Sequence, residues 1–141
     1  MDVIVNTADK VLLNTQLTMN AQATLILNSG RLVTSEQNLL TISAGANVTG
    51  GSLASFVEGP MRKVGNTAFT FPVGKNNPFA PIAISTPASV TDTFTAEYFD
   101  DAYLNTASFL PPLVRVSQME HWKLERTAGS GAVRVTLFWQ D

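Results

Sequence analysis

The chain has 141 residues, the size of one ordinary domain or two small ones, and 45% of them are hydrophobic, enough to form a core. It contains no cysteine, which excludes disulfides, thiol nucleophiles and thiolate metal sites, and its net charge of −2 offers no basic field for nucleic acid. Charged residues make up only 14%, below the roughly 25% of a typical soluble domain; Thr, Ser and Asn fill the difference and suit short strands joined by polar turns.

The opening "MDVIVNTADKVLLN" lacks the basic start and apolar run of a signal peptide. No stretch approaches the roughly 20 apolar residues of a membrane span. From here to Val57 the only charges are Asp2, Asp9, Lys10, Arg31 and Glu36; every aromatic lies at or after Phe56 and every proline at or after Pro60. That shift places an architectural boundary near residues 57–60. In the first half "LLN" (12–14), "ILN" (26–28) and "LTI" (40–42) recur at a step of 14 residues, with "LTM" (17–19), "LVT" (32–34) and "NVT" (47–49) between them. Aliphatic triplets at fixed spacing, separated by Asn, Ser and Gly, predict a short β-solenoid-like stack over 1–57. A meander of hairpins is the alternative, since "NSG" at 28–30 can close a hairpin. A thin stack has room for Leu, Ile and Val but little for rings, so residues 1–55 are expected to pack apart from the aromatics. Asn14, Asn20 and Asn28 are then corner residues, with a ligand role as the sharper alternative.

After Gly59-Pro60, a turn signal, Arg62 and Lys63 read as solvated strand residues or partners of Glu58, or as a contact for an acidic polymer. The rest of the chain alternates with period two: Phe69, Phe71 and Val73; Phe94, Ala96 and Tyr98; Val133, Val135, Leu137 and Trp139. Pro72 predicts a strand end. Turn clusters "GKNNP", "STPAS", "FLPPL" and "TAGSG" separate these strands and predict a β-sandwich-like region over 58–141. "DDAYLNTASF" is the only candidate for a helical turn.

Chemistry is sparse. The only imidazole is His121, on a strand where neighbours point to opposite faces, so Glu120 and His121 form no pair; it reads as a half-buried strand residue rather than part of a triad. Glu97, Asp100 and Asp101 are the densest acids, yet "EYFDDAYLN" lacks the Gly turn and alternating ligands of a calcium loop, and solvated loop acids are expected. No phosphate loop, nucleophile elbow or nucleotide fingerprint occurs, so neither enzyme activity nor a metal or cofactor is expected. Trp122 with Leu124, and Trp139 with Leu137, read as core pairs. Tyr103, beside Asp100 and Asp101, is the better candidate for stacking on a sugar.

The passage "GSLASFVEGPMRKVGNTAFTFPVG" (51–74), with the repeats before it, resembles a module of large secreted and cell-surface proteins of Bacteroidota, and so does "EHWKLERTAGSGAVRVTLFW" (120–139). His121 stands where an aromatic is commoner in that module. The resemblance implies a structural or adhesive segment, extracellular or at the cell surface, beside other domains of a longer parent and often ahead of a type IX secretion sorting tail. A carbohydrate-binding module attached to a secreted enzyme is the alternative, with a surface polysaccharide as its partner. The closing strand, apolar on both faces, is expected between two strands or paired with another copy of the chain or a continuation.

Overall fold

The computed structural model describes residues 1–108 and 110–139, and among them every regular element is a strand. The first seven are β1 (Val3–Leu12), β2 (Leu17–Met19), β3 (Thr24–Val33), β4 (Leu40–Ile42), β5 (Asn47–Gly50), β6 (Ser55–Glu58) and β7 (Met61–Val64). All their mutual pairings are parallel: Val3 lies against Leu25 and Leu25 against Val48, steps of 22 and 23 residues. Leu17 lies against Leu40 and Leu40 against Met61, steps of 23 and 21. The 14-residue recurrence is therefore not the structural step. Leu12, Ile26 and Leu40 are the last residue of β1, the third of β3 and the first of β4, positions that are not paired with one another and share only aliphatic chemistry. The corners stay in register through Leu13 N–H to Val33 O, Leu17 N–H to Leu39 O, Gln22 N–H to Gly45 O and Ser43 N–H to Met19 O, at 2.9–3.0 Å.

The hairpin at 28–30 does not form. These residues run inside β3, where its register with β1 slips at Asn6. Gly30 has φ of 81°, and a Cβ there would stand 2.5 Å from the Asp9 carbonyl oxygen, so only glycine fits the irregularity. Asn14 and Asn20 do lie at corners, whereas Asn28 is exposed on β3; among the described residues the left-handed non-glycine ones are Gln22 and Asn76.

Beyond β7 come β8 (Phe69–Phe71), β9 (Val73–Gly74), β10 (Ile82–Ile84), β11 (Thr93–Phe99), β12 (His121–Ala128) and β13 (Val135–Leu137). Three sheets result: β1-β3-β6-β9 with β5 also on β3, β12-β11-β7-β4-β2, and β13-β10-β8. Two predicted turns mark the crossings between sheets. Gly59 (φ 118°) and Pro60 carry the chain from β6 to β7, fastened by the Thr34 hydroxyl donating to Pro60 O at 2.8 Å. Pro72 ends β8, after which β9 enters the first sheet. β11 follows its alternation throughout, with Phe94, Ala96 and Tyr98 buried and the residues between them half-buried.

Leu25, Leu27, Leu40 and Ile42 share one hydrophobic core with Phe71, Phe94 and Tyr98, and Phe69 and Trp122 pack against it, so residues 1–55 are not a stack apart from the rings. The reason is β7, which pairs with β4 on one side and β11 on the other and carries the sheet across the compositional boundary. Lys63 is neither solvated nor a partner of Glu58: it is 2% exposed, inward beside Met61, while Glu58 pairs with Lys10 at 2.8 Å. The described part of "DDAYLNTASF" is irregular, with Ser108 N–H donating to the Asn105 side-chain oxygen at 3.2 Å rather than to a helical carbonyl; Phe109 lies outside the described residues. Trp122 is half-buried and donates its indole N–H to Ala80 O at 2.8 Å, but Trp139 and Leu137 are exposed: among the described residues β13 is an edge strand, paired to β10 alone.

Candidate functional site

The antiparallel register of β11 and β12 sets Tyr98 against Trp122 and Phe99 against His121. Alternation then sends the two pairs to opposite faces. On one face Phe99 and His121 stack with centroids 4.6 Å apart and planes 3° from parallel. Tyr103 meets the His121 ring edge-on at 5.4 Å, and the Nδ1–H tautomer of His121 donates to Asp101 O at 2.9 Å, since a carbonyl can only accept. The Asp101 carboxylate lies 3.7 Å from the same nitrogen. Asp100 turns elsewhere, accepting from the Asn76 amide and lying 3.8 Å from Lys75 Nζ, which itself stands over the Phe99 ring at 5.5 Å.

On the other face Tyr98 donates its hydroxyl to Glu120 at 2.7 Å. Burial pushes the Tyr98 phenol well up, and the bond to Glu120 adds to the effect, so it remains a neutral donor. Back on the Phe99 face, burial raises the Glu97 carboxyl, against the pull of Lys75 and Lys123. Tyr98, Glu120, Asp100, Asn77, Phe79 and Met119 line a cleft of about 660 Å³, within the range of small-ligand sites.

The structure thus gathers Tyr103, Asp101 and His121 into one cluster and puts Asp100 between that cluster and the cleft. The two neighbouring acids are drawn to different partners, which is a poor arrangement for chelating one ion. Glu120 and His121 part company as the strand alternation required. Phe99, Lys75, Asn76 and Glu120 were not foreseen as members of the site. Only the pairing of β11 with β12 could have revealed Phe99, and the inward face shared by Tyr98, Glu120 and Trp122 was the available signal for Glu120.

No protein-family model, curated protein or solved structure matches the chain. The cluster offers one exposed ring, Tyr103 at 55%, held edge-on against His121, with the exposed Asp101 carboxylate beside the same imidazole. Such a surface can hold a hydroxylated ligand by stacking and hydrogen bonds. It has no side chain poised as a nucleophile with a base beside it among the described residues.

Proposed function

We propose that this chain is a non-enzymatic structural or adhesive segment of a secreted or cell-surface protein, of the kind its likeness to the Bacteroidota module suggests. In this reading β1–β6 are a short solenoid-like stack that spaces, and the strands from β7 onward, which share its sheets and its core, are a sandwich-like region that presents. The observation that carries it is the pair of parallel ladders, Val3–Leu25–Val48 and Leu17–Leu40–Met61, in which successive passes of chain lie directly on one another. Stacked passes transmit load along a row of backbone hydrogen bonds and suit a spacer. Its partners are other domains of a longer parent, a surface polysaccharide and, through β13, a second copy of the chain.

A carbohydrate-binding module is the second reading, favoured by Tyr103, whose ring stays exposed although His121 supports it. An array of neutral glycans separates the two. The structural reading expects no binding that depends on Tyr103; micromolar binding that disappears in Tyr103→Ala replaces it with the binding-module reading.

A further inference from the structure

Lys63 is a buried cation without an anion. Its side chain is 2% exposed, and its ammonium donates to Ser43 O at 3.1 Å and stands 5.4 Å over the Phe69 ring. The other lysines have carboxylates: Lys10 has Glu58, Lys75 has Asp100 and Lys123 has Glu125. Among the described residues none pairs with Lys63. Its pKa is lowered by desolvation alone, with no charged neighbour contributing. An ammonium carries three N–H donors, and one carbonyl with one ring leaves it short of both a partner and a counter-charge.

The same side chain borders a cleft of about 410 Å³ between the turn that leads into β5 and the start of β8. Asn47, Thr67 and Thr70 supply neutral polar groups to its walls, and Val48 and Phe69 supply apolar ones. We propose that this cleft binds a monoanionic carboxylate carried on a hydroxylated body, the chemistry of a uronate residue in an acidic saccharide. The carboxylate accepts from Lys63 Nζ. The hydroxyl and amide groups of Thr67, Thr70 and Asn47 bond the body. One positive charge matches one negative charge, whereas a phosphate dianion would bring an excess charge into a desolvated place. The site goes beyond the structural reading and is separate from Tyr103: Lys63 pairs with Phe94 near the start of β11, and Tyr103 follows the strand's other end.

The test is a titration of the whole ¹⁵N-labelled chain with galacturonate, galactose, acetate and inorganic phosphate, read by amide chemical shifts. Galacturonate should move the amides of Gly45–Val48 and Thr67–Thr70, and galactose should not. Lys63→Met, which keeps the stem and removes the charge, should weaken binding by ~10-fold or more. Lys63→Gln should do the same if the Met variant fails to fold, and Tyr103→Ala should leave the response intact. Equal shifts with galactose, no shift with galacturonate, or shifts that survive both Lys63 variants overturn the proposal. Acetate binding as tightly as galacturonate overturns the saccharide assignment, and phosphate binding more tightly overturns the monoanion assignment.

Discussion

Asp92 shows how single residues hold the second half together. Its carboxylate is fully buried and accepts Ser89 N–H at 2.9 Å and Gly131 N–H at 3.4 Å, tying the "STPAS" loop to the "TAGSG" turn. The bond from Ser89 does most to depress its pKa, burial opposes it, and the amides of Gly131, Ser130 and Ala88 depress it further. Because the folded value lies below the unfolded one, the stabilisation is present above about pH 4 and is lost as pH falls through the folded value. Asp92→Asn should therefore lower the melting temperature at pH 7 and flatten its decline in acid; an unchanged acid limb would show that Asp92 is not the group responsible. Gly129 makes room for this carboxylate: its φ is 83°, and a Cβ would overlap Asp92 Oδ1. Gly129→Ala should cost at least ~1–2 kcal/mol in denaturant unfolding. Lys63 runs the other way. Its folded pKa is lowered, so the unfolded chain binds the proton more tightly and stability should rise with pH between the folded value and the ordinary 10.5. Lys63→Met should remove that rise. The signal for its burial stood in the sequence, since period two places Lys63 on the face of Met61.

Among the elements, the strands whose two faces differ in character were the most legible. β11 could be read from "TFTAEYF", and Pro72 marked the crossing from β8 to β9, because both depend on local chemistry. The parallel ladders were legible only as repetition. Every strand of the first half draws on the same Leu, Ile, Val, Thr and Asn, so local similarity at 14 residues masked pairing at 21–25. Which strand lies beside which is a long-range property that composition does not encode. β4 tests the pairing, since it lies between β2 and β7 and Leu40 is completely buried. Leu40→Ala should destabilise by about 2–5 kcal/mol, the range for a core leucine. A loss below 1 kcal/mol would mean that the β2-β4-β7 ladder contributes little to the core. Of the candidate site, the residues from one loop, Asp100, Asp101 and Tyr103, were legible. Their supports from β12 and from Lys75–Asn76 were not, because each arrives across a turn or a strand pairing.

At the scale of the whole molecule, the accessible surface is 8213 Å² for 15.2 kDa, against about 7,100 Å² for a folded monomer of that mass. The excess of roughly 1,100 Å² is comparable to the ~800 Å² each partner contributes to a standard interface. Leu110, Leu113, Val114, Val135, Phe138 and Trp139 are among the exposed apolar residues. On β13, Phe138 N–H donates to Pro81 O and Arg134 O accepts from Ser85 N–H, so the even-numbered residues turn their backbone toward β10. Val135 and Leu137 consequently face the open edge with theirs. Two copies joined antiparallel about Thr136 would set Val135 against Leu137 and Arg134 against Phe138, an apolar pair and a cation–ring pair. Sedimentation equilibrium should show a dimer whose population rises with concentration through the micromolar range. Leu137→Lys, which adds a charge to the edge while leaving the bonds to β10 in place, should return the chain to a monomer with little change in melting temperature. A wild-type chain that stays monomeric at every concentration, or a dimer unaffected by Leu137→Lys, would remove β13 as the contact between copies.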